Sequence, residues 1–239
     1  MKKYLLATLF LMISICVNAQ TLSIIPKIGA TFSTISREYA DDIKSKPGFT
    51  LGVGVNYGLT DLLSIQPELN FIQKGYKEEN SSAWEEEVDG RWFYYQNDYK
   101  QVETTNYIEL PVLVKATFGK VTKFHVMAGP SLGVGLGGKY KEEGSFTESY
   151  DDEVYVYPLD GKGAIKFGNA PDGYEGNDRY IDNRMDFGLQ LGGGVFLADK
   201  IMIEVRYGLG LSNLYDPDNS YETKNRVLQF TVGIPLQPK

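Results

Sequence analysis

The sequence predicts an all-β chain, an antiparallel up-and-down barrel of eight strands. Three observations predict it. Eight segments alternate apolar and polar residues step by step, their connections alternate between short and long, and glycine collects on one face. Alternation of period two marks a strand with two unlike faces. Short turns on one side and long loops on the other describe a meander that can close on itself.

The segments run approximately 22–33, 49–59, 63–74, 106–118, 124–137, 185–197, 201–211 and 227–236. The first carries Lys27 and Gly29 on its polar face and Phe32 on its oily one. The second puts Gly52, Gly54 and Gly58 opposite the face of Tyr57. In the third, Ile65, Pro67, Leu69 and Phe71 oppose Ser64, Gln66, Glu68, Asn70 and Lys74. In the fourth, Ile108, Leu110, Val112, Val114, Ala116 and Phe118 oppose Tyr107, Glu109, Leu113 and Lys115. The fifth and sixth carry His125, Gly129, Gly133, Gly135 and Gly137, then Asp186, Gly188, Gly192 and Gly194, on the polar side. The seventh alternates without a fault, Ile201, Ile203, Val205, Tyr207, Leu209 and Leu211 against Met202, Glu204, Arg206, Gly208 and Gly210. The eighth sets Leu228, Phe230, Val232, Ile234 and Leu236 against Gln229, Thr231 and Gly233. No amphipathic helix of useful length lies between them. Three connections, "GLTDLL", "FGKVTKF" and "LADKI", are tight; those at 34–48, 75–105, 138–184 and 213–226 are long.

Periodicity alone does not say which face meets the solvent, since a soluble lipocalin-like barrel has the same alternation turned inside out. The polar face decides. Glycine is a poor residue for a solvated strand face, but inside a narrow barrel its small size makes room for longer side chains. The oily face therefore points outward into lipid. Each strand is long enough to cross an outer membrane at a tilt, and Phe32, Tyr57, Phe71, Phe118, Phe124 and Tyr207 lie where an interfacial girdle is expected.

The chain opens "MKKYLLATLFLMISICVNAQ", two lysines, a short apolar run and small residues before Gln20, the pattern of a signal peptide over residues 1–19, leaving a barrel domain over 20–239. Cleavage removes Cys16, the single cysteine, and with it any disulfide or thiolate site. It leaves 22 of the 24 basic residues against 31 acidic ones, a net charge of −9, which argues against nucleic acid as a partner.

"YIELPVLVKATF" (107–118), "SIQPELNFIQKGY" (64–76), "MAGPSLGVGLGG" (127–138) and the leader ending "NAQ" resemble the PorT-like, or "porin family", outer-membrane β-barrel proteins of Gram-negative bacteria. The resemblance spans the whole mature chain, and Tyr-x-Glu-Leu-Pro is its most specific element. It implies an eight-stranded integral outer-membrane barrel with short periplasmic turns and long extracellular loops. One departure is the end, "GIPLQPK" past Phe230, where such chains usually carry an aromatic-rich strand.

Lys27, Glu68, Lys74, Glu109, Lys115, Asp186, Glu204 and Arg206 are expected to share the lumen. Such charges can form a selectivity filter or a proton relay. In so narrow a barrel, four acids against four bases favour a plug of mutually neutralising pairs. Enzymatic chemistry has little support: the single histidine, His125, lies beside a short turn with no serine recognisably next to it. No cofactor is expected. "DDE" (151–153) and "DPDNSYE" (216–222) are acidic enough for Ca²⁺ but match no calcium loop.

The long loops hold both tryptophans and a cluster of tyrosines. Trp84, Trp92, Tyr94, Tyr95, Tyr155 and Tyr157 are candidates for recognising a surface protein or glycan. "WFYYQ" and "VYVYP" also have the β-propensity to pair as short strands that continue the hairpins. The expectation is a monomeric barrel in contact with outer-membrane lipid and lipopolysaccharide, structural or interactive at the surface. A small-solute channel and a component of a secretion machinery are the alternatives.

Overall fold

The structure, a computed structural model, describes residues 22–37, 42–198, 200–215 and 221–236. Residues 1–19, where a signal peptide is expected, with Cys16, and most of 216–222 lie outside the described residues. Among the described residues eleven strands form in chain order: β1 Leu22–Arg37, β2 Ile43–Gly58, β3 Leu63–Val88, β4 Arg91–Phe118, β5 Lys123–Tyr150, β6 Glu153–Pro158, β7 Gly161–Phe167, β8 Arg179–Ile181, β9 Met185–Leu197, β10 Ile201–Gly210 and β11 Thr223–Gly233. Eight of them close a ring, β1-β2-β3-β4-β5-β9-β10-β11 and back to β1, with every neighbour antiparallel. Ring closure pairs each strand on both sides and leaves no edge exposed, the condition for a sheet to survive in lipid.

The eight expected segments all lie on the ring, and the faces fall as the glycine argument requires. Ile28, Val114, Phe124, Leu191 and Val232 point outward and are exposed, whereas Thr31, Gln66, Lys115, Glu204 and Arg206 are buried within. The three tight connections are the turns expected, and the Ile24↔Leu236 bridge holds both ends of the described barrel at that same rim.

The long connections differ from expectation in extent. Segment 75–105 continues the hairpin, as its β-propensity allowed, and over its whole length: β3 and β4 stay paired from Asn70↔Glu109 to Val88↔Arg91. The hairpin closes at Asp89 (φ 52°) and Gly90 (φ 79°), a two-residue turn with both residues left-handed, which matches the twist of the flanking strands. β5 follows β4 outward to Tyr94↔Ser149 and turns into β6 at Asp151 and Asp152, again both at positive φ. Asp151 and Asp152 of "DDE" are thus a hairpin turn, and Glu153 opens β6. "WFYYQ" lies in β4 and "VYVYP" in β6, and they pair with opposite edges of β5 rather than with each other. The result is a four-stranded sheet, β3-β4-β5-β6, standing beyond the barrel.

The remainder of 138–184 folds inward. β7 pairs with β5 over Gly138–Glu142, and β8 lies parallel to β7. Ile165 and Ile181 from this segment are buried with Ile35, Tyr76, Tyr140 and Leu214 in an apolar cluster at the long-loop end. The Phe167 ring lies across Tyr107 at 5.4 Å. It occupies the space in front of Gly135, where a Cβ would meet it at 2.3 Å.

Candidate functional site

All eight charged residues expected in the lumen are there, buried, and the barrel sorts them into two layers. Near the short turns, Glu68 is the hub. Both Nη atoms of Arg206 donate to its two oxygens at 2.7 Å, Lys27 pairs with it, and Gln66 and Asn70 donate at 2.6 and 3.0 Å. Arg206 also reaches Glu204 at 2.5 Å. Lys115 finds no carboxylate there; it donates to Gln66 at 2.5 Å and lies over the Phe196 ring at 5.5 Å. Charge-assisted and forked bonds of this kind are the strong ones, and inside a barrel they offset the cost of taking ions out of water.

Nearer the long-loop end, Lys74 bridges Glu109 at 2.8 Å and Asp186 at 2.9 Å. Gln190 donates to Glu109 at 2.7 Å and Asn225 to Asp186 at 2.8 Å. Little space remains: the cavity among Lys74, Glu109, Asp186 and Asn225 is about 10 Å³, room for about one water. At the opposite rim a wider vestibule of about 250 Å³ opens between the short turns and ends on Lys115.

Sequence reasoning placed His125 in the lumen but not its partner. Its Nε2 lies 3.1 Å from Glu204 Oε1, and its ring packs against Phe196 at 5.1 Å. Gly192 and Gly194 make this possible, since Cβ atoms there would meet Arg206 Cγ at 2.8 Å and His125 Cε1 at 2.7 Å. The uncharged members of the network, Gln66, Asn70, Gln190 and Asn225, were not singled out. Their signal was available for three of them: a buried-side amide on an alternating strand needs a polar neighbour.

The six loop aromatics divide between two faces of the outer sheet. Trp84, Tyr95, Tyr155 and Tyr157 share the face that continues the lumen side, where Phe93, Phe146 and Tyr150 join them. Trp84 stacks on Tyr95 at 5.3 Å, Tyr95 on Phe146 at 5.9 Å and Tyr150 on Tyr155 at 5.7 Å, while Phe146 meets Tyr157 at 6.2 Å. Trp92 and Tyr94 alternate to the other face. Trp84, Trp92, Tyr94, Tyr155 and Tyr157 stay largely exposed.

No curated protein matches the sequence. Among solved structures, the chain is similar to Ail, the attachment invasion locus protein of Yersinia pestis, with a TM-score of 0.39 and 14% identity over 91% of this chain and 100% of that one. It is similar to Neisserial surface protein A with a TM-score of 0.36 and 10% identity, covering 88% and 96%. It is also similar to the N-terminal β-barrel domain of Pseudomonas aeruginosa OprF, with a TM-score of 0.31 and 8% identity, covering 88% and 97%. The family model described as outer membrane protein beta-barrel domain matches residues 18–216. The chain belongs to that family of outer-membrane β-barrel proteins.

Proposed function

We propose that this outer-membrane barrel does not conduct, and that its work is done by the β3-β4-β5-β6 sheet as a recognition surface for a protein or glycan outside the cell. The observation that carries the first half is the pair of ionic layers with about 10 Å³ of space between Lys74 and its acids, under an apolar cap of Ile165, Ile181 and Leu214. A hydrated ion needs a continuous wet path through the wall of side chains. Here each luminal cation except Lys115 is matched to a carboxylate. The second half rests on seven aromatic rings on one face, rigid groups that offer contact area at little entropic cost. The chain acts as a monomer with neither cofactor nor enzymatic chemistry, and His125 serves as one more polar member of the lower layer.

The test is a planar-bilayer recording of the refolded mature chain, after heat-modifiable gel migration has shown that it is folded. The expected result is silence. Discrete current steps that change when Lys115 or Arg206 is neutralised would establish the small-solute channel instead.

A further inference from the structure

Just beyond the lipid-facing band, the outward side of the wall carries a row of lysines. The cross-strand register runs Lys44↔Lys77, Lys77↔Val102, Val102↔Lys141 and Lys141↔Lys162, one row across β2, β3, β4, β5 and β7. In the adjoining row, Gly75 pairs with Thr104, Thr104 with Lys139 and Lys139 with Ala164. These positions continue the outward alternation of Leu110, Val112 and Leu136, so the ammoniums begin where the apolar band ends.

Like charges directly opposite each other weaken a sheet, and this row has two such pairs. Acids relieve only part of it: Glu79 takes Lys44 at 2.5 Å and Lys100 at 3.6 Å, and Glu143 takes Lys141. Lys77, Lys139 and Lys162 have no carboxylate partner among the described residues. Lys46, buried beside them, is held below the ordinary lysine range by that burial and then by the Lys139 and Lys77 ammoniums. An apolar groove of about 580 Å³, floored by Val102 and Thr104, runs between Lys139, Lys141 and Lys162.

We propose that this row binds the phosphorylated sugar headgroup of an outer-leaflet glycolipid, of the lipopolysaccharide class. The phosphates sit on Lys77, Lys139 and Lys162, and the acyl chains lie down the apolar band beneath. Charge complementarity and depth select that occupant: lysine stems cover apolar surface while their heads stay at the interface, and each basic residue there adds to the attraction for anionic lipid. The assignment rests on the long-loop end facing outward, as in barrels with short periplasmic turns.

The experiment uses the full mature chain refolded in detergent, with binding of bisphosphorylated lipid A read by native mass spectrometry. Heat-modifiable migration is recorded separately, so that a failure to fold is distinguished from a failure to bind. The variant Lys77→Gln/Lys139→Gln/Lys162→Gln is expected to lose about ten-fold or more in affinity. The matching arginine variant keeps the binding, and so does Lys120→Gln/Lys200→Gln at the opposite rim. Dephosphorylated lipid A binds weakly, and millimolar inorganic phosphate does not displace the lipid. Unchanged affinity in the folded glutamine variant overturns the proposal. Equal binding of the dephosphorylated lipid, or displacement by free phosphate, overturns it as well, the first pointing to the groove alone and the second to a soluble anion.

Discussion

Arg206 and Glu68, 138 residues apart in the chain, meet in a two-bond fork whose arms are both 2.7 Å long. They stand on β10 and β3, which are not neighbours in the ring, so the fork ties together opposite parts of the wall across the interior. Glu204, on the same strand as Arg206, shares the guanidinium.

Removing Arg206 leaves two buried carboxylates short of a cation. Arg206→Met is expected to cost about 3–5 kcal/mol, read as a lower urea midpoint for the heat-modifiable form in lipid vesicles. Arg206→Lys keeps the charge and loses the fork, and falls between the two. A midpoint unchanged in Arg206→Met would mean that the fork contributes nothing.

The seat of Phe167 depends on the bare backbone of Gly135. Gly135→Leu puts a side chain where that ring lies and should lift β7 and β8 from the mouth. Limited proteolysis would then cut within 159–184 much faster than in the natural chain. Equal cutting rates would show that the segment is held by Ile165 and Ile181 alone.

Glu103 lies outside the membrane-spanning segments, and burial pushes its carboxyl up to about 7. Arg179, Tyr76 and Arg37 oppose the rise and Glu78 adds to it. The folded chain therefore holds a proton that the unfolded chain releases nearer the ordinary value of 4.5. Stability from this group is full at acid pH, falls as pH rises from about 4.5 to about 7, and is level above. Glu103→Gln should remove that fall and be more stable at pH 8 by on the order of 2 kcal/mol. Urea midpoints of both proteins across this range decide it, and parallel profiles would refute it.

Trp84 touches both Tyr95 and Phe146, at 5.3 and 6.1 Å. Trp84→Ala should loosen the outer hairpin by about 0.5–1.5 kcal/mol per lost ring pair and reduce the near-ultraviolet circular dichroism. Heat-modifiable migration stays as it was, because the ring of eight strands is complete without the tip. Trp92→Ala, on the other face, should leave the aromatic signal of the ladder intact. Equal effects from the two would mean that the rings do not act as a ladder.

The barrel was legible because alternation reports the face of each residue, and the inner glycines reported which face was crowded. Gly192 and Gly194 show the reason directly: they stand beside Arg206 and His125, which need the space. What alternation does not carry is which strands look at each other across the lumen. Lys74 and Asp186 lie 112 residues apart and meet only because the ring closes, so the division of the charges into two layers was out of reach. The outer hairpin was half legible. Asp89-Gly90 is a hairpin turn signal, and the β-propensity of "WFYYQ" pointed to strands that continue the hairpins; what 75–105 did not show was how far they run, because its strands alternate polar with aromatic residues and have no apolar band. The inward course of β7 and β8 had no local signal, since Ile165 and Phe167 belong to a short segment whose face is set by contact with Tyr107 and Tyr140.

The sorting of the luminal charges has an electrical consequence. By formal charge the layer near the short turns holds Lys27, Lys115 and Arg206 against Glu68 and Glu204, and the layer beyond it holds Lys74 against Glu109 and Asp186. One layer carries an excess positive charge and the other an excess negative charge, so the balanced interior is a dipole lying along the membrane normal. A cation arriving from outside is drawn to the negative layer near the long loops and repelled by the positive layer behind it, and an anion from the periplasm meets the mirror image. In the proposed closed lumen this polarity adds to the packing, and exchanging a lysine of the layer near the short turns with a carboxylate of the other layer would reverse the sign of that field while leaving the total untouched.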